Sequence, residues 1–302
     1  MSKGVYDHSS LQAYKNCPES YRLKYVEHLK KRVEAEEEHD KNFGRAIHAA
    51  LELLYKSNKA GKPLSRADYH AAFEKEYPVC LDVTDLAKTP ESGLLLLDKY
   101  AEHYGKEDSE MEILAVEVTD TFPIGKTNDG ETVEFTVKID LIVKKQGCVY
   151  FMDHKTTGRS FSWDYWAQFD PNAQITAYAA YCMYKYGECS GGIINALRFG
   201  HRQRAYKGEP AGYYQEFQRN IINRNPAQIA AWKGDTINWI QSVRADKVFV
   251  PAKESWGKNE GACRYCSYKE VCLSVNDEQV IEQLYEKTDS MSYLKPSGEL
   301  DA

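Results

Sequence analysis

The sequence predicts a fold of the α/β (α+β) class, a central mixed sheet flanked by helices, on three observations. Segments rich in Val, Ile, Phe and Thr, in partial alternation, cluster in the middle of the chain, the pattern of half-buried strands. Helical segments with start and stop signals stand before, between and after them. Short turn sequences separate the first three strand candidates, whereas a whole helix separates the third from the fourth, which calls for a mixed sheet.

The elements follow in order. From Ser9 to about Leu29 the pattern is helical in two pieces, and Pro18 fits the first position of the second, which puts Cys17 at a helix start. The segment EAEEEHDKNFGRAIHAALELLYK begins as an acidic solvated run and becomes an amphipathic helix from about Phe43. Ser65-x-x-Asp68 reads as a capping box opening a helix to about Tyr77, and a further helix covers Gly93 to Tyr104. EILAVEVTDTFPI, ETVEFTVKIDLIVKK and CVYFMDHK read as three consecutive antiparallel strands joined through Asn128-Asp129-Gly130 and Gln146-Gly147. Asp170-Pro171 offers a cap and a first-turn proline for a helix through Tyr186, closed by Gly187. GGIINALRF and GYYQEFQRN read as two more strands, and Asn225-Pro226 opens a helix to about Arg244. An irregular cysteine-bearing segment follows, and beyond Asp277 one short helix and a disordered end are expected.

Composition bounds the function. A chain of 302 residues with 42% hydrophobic and 28% charged residues is an ordinary globular sequence with ample core. No apolar run approaches a membrane span, the longest being Leu94 to Leu97, so no membrane partner is expected. MSKGVYDHSS lacks an apolar signal region, so the expected location is cytoplasmic, where the eight cysteines serve as thiols or ligands rather than disulfides. The net charge of -6 argues against a positive sheath coating nucleic acid but leaves room for a local basic groove.

Chemistry concentrates in a few places. Asp153 and Lys155 in MDHK alternate onto one face of a strand, and Asp140 lies on the strand before it. Two carboxylates can hold a hard divalent cation while the lysine positions or activates a water, although a surface Asp–Lys pair is the commoner meaning of such a motif alone. Gly44-Arg-Ala-Ile-His48 and Gln174-x-x-x-Tyr178 each place two residues on one helical face. Cys263, Cys266 and Cys272 follow C-x2-C-x5-C, three soft ligands without the second knuckle of a common zinc site. Cys17 or, for zinc, His28 or His39 can complete them; Cys80, Cys148, Cys182 and Cys189 have no partnered spacing. RFGHRQRAYKG carries Arg198, His201, Arg202, Arg204 and Lys207, a basic loop for phosphates or a solvated hairpin tip. Phe161, Trp163, Tyr165 and Trp166 can stack on bases, or pack in the core, which is the blander reading.

Taken in order, these motifs resemble the RecB-like branch of the PD-(D/E)XK nuclease superfamily, including CRISPR-adaptation nucleases with a four-cysteine iron–sulfur cluster. The carriers are GRAIH, VKID, MDHKTTG, QITAY and CRYCSYKEVC, with Cys17 in YKNCPESYRLKY, so the resemblance runs from about residue 9 to 272. It implies a restriction-endonuclease-like core and Mg²⁺- or Mn²⁺-dependent hydrolysis of DNA phosphodiesters. His48, Asp140, Asp153 and the His154 backbone carbonyl would bind the metal, and Lys155 would orient or deprotonate water. Gln174 and Tyr178 would support the site and contact the strand, with Glu117 in a supporting or second-metal role. Lys138 stands where a glycine is frequent two residues before the motif aspartate. The resemblance also assigns Cys17, Cys263, Cys266 and Cys272 to a structural [4Fe–4S] cluster.

The expected organisation is one nuclease domain over 1–276: a helical part about 9–105, a core about 106–244 and a cluster segment 245–276 closed with Cys17. Residues 277–302 form a helix and tail. The function expected is an exonuclease of recombination, repair, CRISPR adaptation or phage DNA processing, acting on single-stranded or end-containing DNA. With no GxxxxGK[ST] in the sequence, unwinding falls to a helicase, recombination or adaptation partner; relatives that form rings leave an oligomer open. Two other classes compete: an idle nuclease-fold assembly subunit and a zinc-bearing nucleic-acid-binding module.

Overall fold

A computed structural model describes residues 5–32, 35–62, 64–77, 87–205, 207–208, 210–252 and 261–294, so Cys80 and the last residues of the expected tail lie outside the described residues. In chain order the elements are α1 (His8–Asn16) and α2 (Pro18–Tyr21), a π-helical turn at Arg22–Val26, and β1 (Leu29–Lys31). Then come α3 (Ala35–Lys59), α4 (Arg66–Glu76), α5 (Pro90–Ser109), β2 (Glu112–Lys126), β3 (Thr132–Lys145) and β4 (Cys148–Thr157). They are followed by α6 (Trp163–Ala167), α7 (Ala173–Tyr186), β5 (Gly191–Arg202), β6 (Gly212–Ile222) and α8 (Pro226–Ala245). The chain ends in α9 (Lys269–Leu273), α10 (Glu278–Leu284), β7 (Tyr285–Lys287) and a 3₁₀ turn at Ser292–Leu294. Five strands form one mixed sheet in the order β2-β3-β4-β5-β6, with β3–β4 and β5–β6 antiparallel and β4–β5 parallel. Among the described residues no helix is long and apolar enough to cross a membrane.

The contacts divide the chain into two compact units. The first comprises Val33–Val118 and Lys138–Ile229. Its core joins Phe43, Ile47 and Leu51 of α3, Phe73 of α4 and Leu96 and Tyr100 of α5 to Leu141, Met152 and Leu197 of the sheet. The helix α3 starts at Ala35, earlier than the apolar period indicates, because the Ala and Glu residues ahead of Phe43 favour helix without carrying a hydrophobic stripe. Ser65 and Asp68 form the expected reciprocal capping box. Helix α5 begins at Pro90 rather than Gly93, since Thr89 accepts from the Ser92 N–H and Pro90 fits the first helical turn.

The strand turn at Gln146-Gly147 has φ of 52° and 82°, two left-handed residues in sequence that match the twist of a tight hairpin. The cap of α7 is Asn172, which accepts from the Gln174 and Ile175 N–H groups; Asp170 pairs instead with Arg224 at 3.1 Å. Gly187 closes that helix with φ 76°. Gly192 on β5 leaves room for the Phe151 ring, since a Cβ there would lie 2.0 Å from Phe151 Cζ.

The second unit comprises Met1–Arg32, Thr119–Val137 and Ala230–Ala302. Tyr14 donates to Asp246 at 2.9 Å, and Phe135 meets Trp232 edge to face. A small core of Leu23, Leu29, Tyr268, Val271 and Tyr285 gathers the two ends of the sequence. The tail forms α10 as the pattern predicts, but the residues after it pair as β7 with β1, Leu29 opposite Lys287. Three residues are too few to show a period of two, so this pairing has no sequence signal.

Candidate active site and metal centre

The antiparallel register of β3 and β4 ends on the pair Leu141–Met152, which leaves Asp140 and Asp153 at the same end of the two strands, within electrostatic range of each other. Asp140 Oδ2 accepts the backbone N–H of His154 at 2.7 Å. From α3, His48 brings Nδ1 to 3.5 Å from Asp140 Oδ1. From β2 comes Glu117, whose φ of 47° is left-handed, unusual for a strand residue with a side chain. His48, Glu117 and Asp140 thereby offer ligand atoms all within 4.8 Å of one another. Lys138, the departure from the usual motif, sets its ammonium 3.5 Å from Glu117 Oε2.

Burial and neighbouring charges together set the electrostatics. Burial and the Asp140 charge push Glu117 up to about 7. Asp153 is also raised, by burial and by Asp140, against the opposing pull of Lys155. Burial acts to raise Asp140 as well, but His48, His154 and Lys155 outweigh it and hold it below the usual carboxylate range. His48 moves up, because Asp140 overcomes the burial that would lower it. Lys155 Nζ lies 2.8 Å from Asp153 Oδ2, a buried ion pair on one strand face. Asp153 and Asp140 hold Lys155 above its ordinary range although burial pulls it down. An imidazole and the carboxylates of Glu117, Asp140 and Asp153 fit a hard divalent cation, whose charge would offset the burial and mutual repulsion that raise Glu117 and Asp153.

Behind β4 lies a polar network that no motif announced. The His154 side chain faces away from Asp153 and stacks on Tyr55 at 5.4 Å, with its Nδ1 2.7 Å from Asn195 Nδ2. Asn195 Oδ1 accepts from Arg219 Nε at 3.3 Å, which fixes the amide orientation and makes His154 Nδ1 the acceptor. Arg219 also donates to Tyr55 and Tyr100 and lies 2.7 Å from Asp108. Burial holds the His154 ring down to about 3, so it is neutral. These partners are scattered from Tyr55 to Arg219 in sequence, with no spacing to reveal them; a buried Asn in an otherwise apolar strand, GGIINALRF, was the one available signal.

The remaining candidates fall elsewhere. Gln174 donates to the Tyr178 hydroxyl at 2.8 Å, and the Tyr178 ring packs on Phe151, which shares the strand face of Asp153. Strand β5 runs on to Arg202, so Arg198 and Arg202 belong to a strand rather than a basic loop, because the β5–β6 ladder extends to the pair Arg202–Gly212. Arg198 is paired with Glu216 at 2.5 Å, and Arg202 covers the Tyr214 ring at 4.2 Å. Arg204 and Lys207 are exposed on the connection. Trp163 is 81% exposed, whereas Tyr165 is buried.

Cys17 caps the start of α2 and accepts the Ala252 N–H at 3.4 Å, and Cys266 accepts the Tyr268 N–H at the same distance. Burial, Glu19 and then Cys266, Cys17 and Cys263 push the Cys272 thiol up to about 11, so the other three cysteines lie within electrostatic range of Cys272. His39 is engaged with the Lys88 carbonyl and Tyr77.

Comparison with known proteins follows the same line. A candidate exonuclease from Eubacterium rectale is 12% identical over 86% of this chain and 91% of its own, with a TM-score of 0.47. LHK-Exo in complex with dAMP is 14% identical over 68% of this chain and 93% of its own, with a TM-score of 0.25. Likenesses this distant carry no argument about activity. No curated protein sequence matches. The family model of the PD-(D/E)XK nuclease superfamily, in contrast, matches residues 8–273, most of the chain and all the residues just placed, and the chain belongs to that superfamily.

Proposed function

We propose that the chain is a divalent-metal-dependent deoxyribonuclease of the RecB-like branch, an exonuclease, whose fold is clasped by a [4Fe–4S] cluster. The observation that carries the nuclease reading is the meeting of His48, Glu117 and Asp140 from one helix and two strands, beside the strand that carries the Asp153–Lys155 ion pair and is tied to Asp140 through the His154 N–H. His48, Asp140, Asp153 and the His154 carbonyl would hold Mg²⁺ or Mn²⁺, with Glu117 beside them. Once bound, the cation supplies Lewis-acid charge to the phosphate being cleaved.

The chain's own groups supply the rest. Lys155 suits orienting or deprotonating the attacking water and countering charge on phosphate oxygens. The water oxygen bonds to phosphorus, one of its protons leaves to solvent, and the released sugar oxygen takes up a proton as its bond to phosphorus breaks. Gln174 and Tyr178 support the strand from α7, and exposed Arg204, Lys207 and Trp163 suit backbone and base contacts with a DNA end. Partners in this reading are DNA and a helicase, recombination or adaptation protein.

Cys17, Cys263 and Cys266 within electrostatic range of Cys272 suit a shared inorganic core, and N–H groups aimed at Cys17 and Cys266 are of the kind that tune cluster sulfurs.

The test is digestion of end-labelled single- and double-stranded DNA with Mg²⁺ or Mn²⁺ beside Asp153→Ala and Lys155→Ala. Both variants are expected to lose cleavage and keep their iron; unchanged activity in both removes the assigned centre.

A further inference from the structure

The β3–β4 ladder ends on Leu141–Met152, and beyond it the His154 N–H turns to the Asp140 side chain. On the other side of β4, His154 stands opposite Asn195 of β5, and Asn195 stands opposite Arg219 of β6. The three form one polar row across the sheet. The rows beside it are Met152–Ile193–Ile221 and Thr156–Leu197–Phe217, apolar save for Thr156. His154 and Asn195 are both buried.

The hydrogens of the row have one arrangement. A guanidinium only donates and a carboxylate only accepts, so Tyr55 donates to Asp108 at 2.8 Å and Tyr100 donates to Tyr55 at 2.6 Å. The Tyr100 oxygen then accepts from Arg219 Nη2 at 3.0 Å and from Asn195 Nδ2 at 2.7 Å. Arg219 Nε takes Asn195 Oδ1, so the second Nδ2 hydrogen goes to His154 Nδ1 at 2.7 Å. The His154 ring is thereby held in one tautomer, 12° from parallel with Tyr55. Buried polar networks replaced by well-packed apolar side chains often keep their stability, so what this row adds is a single geometry. That geometry reaches the site through one residue. His154 has its ring in the row, its N–H on Asp140 Oδ2 at 2.7 Å, and Asp153 and Lys155 as its chain neighbours.

We propose that Asn195 is a positioning residue for cleavage: through the His154 ring it orients the His154 peptide against Asp140 and so sets the end of β4 that carries Asp153 and Lys155. The inference rests on the nuclease reading and adds to it the device that aligns its two strands.

Asn195→Ala removes the donor to His154. His154→Phe cuts the same bond from the other end and keeps the peptide and a ring against Tyr55, so it carries the test if Asn195→Ala does not fold. In each, Mn²⁺ affinity by titration calorimetry is expected to fall about 10-fold. With end-labelled DNA at saturating Mn²⁺, kcat should also fall about 10-fold while KM changes by less than about threefold. The double variant should lose no more than the worse single one, because one bond is removed once. Losses that multiply overturn the route through His154. A lowered melting temperature with kcat unchanged well below the transition marks a merely structural network and overturns the proposal. If wild type cleaves and both folded variants cleave equally well, this inference alone fails. If wild type cleaves no DNA, the nuclease reading fails and takes the inference with it.

Discussion

The backbone N–H of His154 donates to Asp140 Oδ2 at 2.7 Å, so the strand that carries Asp153 and Lys155 is tied directly to the carboxylate it must face. One oxygen of Asp140 is thus committed to holding β4, and the other lies 3.5 Å from His48. A single side chain spaces the strands and offers the charge.

Asp140→Asn separates these two roles. The amide oxygen can still accept from His154, so the variant should keep its fold, but the charge is gone. Mn²⁺ affinity by titration calorimetry is expected to drop at least about 10-fold and cleavage at least about 100-fold. Asp140→Ala loses the accepted hydrogen bond as well and should be less stable to urea by about 1–3 kcal/mol. Full metal affinity in Asp140→Asn would remove the aspartate from the site.

Acid should weaken the fold through His154. Its folded value is lowered to about 3, against an ordinary histidine value near 6.5 once unfolded. Between those values the unfolded chain binds a proton that the folded chain refuses, so protonation favours unfolding. Stability from this group is complete above about pH 6.5 and declines as pH falls, by up to about 1.4 kcal/mol per unit, until about pH 3. Urea midpoints measured from pH 8 to 4 should be flat and then fall, and His154→Gln should flatten the lower limb. Parallel curves for the two proteins would contradict a neutral buried ring.

The cysteines make a separate prediction about composition and stability. Anaerobically purified protein should contain iron and acid-labile sulfide, and Cys17→Ser should lose both together with several degrees of melting temperature. A cluster joining residue 17 to residue 263 closes a long loop, the geometry in which a cross-link constrains the unfolded chain most. Zinc without sulfide, or a Cys17→Ser protein fully loaded with iron, would each defeat the assignment.

Much of this was legible because it is local. The Ser65–Asp68 capping box, the left-handed Gly187 and the Gln146-Gly147 turn depend on a few consecutive residues whose chemistry admits few conformations. The alternation in VKID and MDHK placed Asp140, Asp153 and Lys155 on strands for the same reason. Signals that compete locally were misjudged. Asp170-Pro171 resembles a helix start as well as Asn172 does, and only the pairing of Asp170 with Arg224 takes that aspartate away from the helix.

Sequence alone therefore determined the class of fold, the strand order of the motifs and the residue types available for chemistry, since period and capping are properties of short stretches. Tertiary structure decided which of them meet. It turned Glu117 toward His48 and Asp140 through a left-handed backbone, and assembled Arg219, Asp108, Tyr55, Tyr100 and Asn195 behind His154. Such meetings join residues far apart along the chain and depend on how helices and strands pack, for which no local pattern exists.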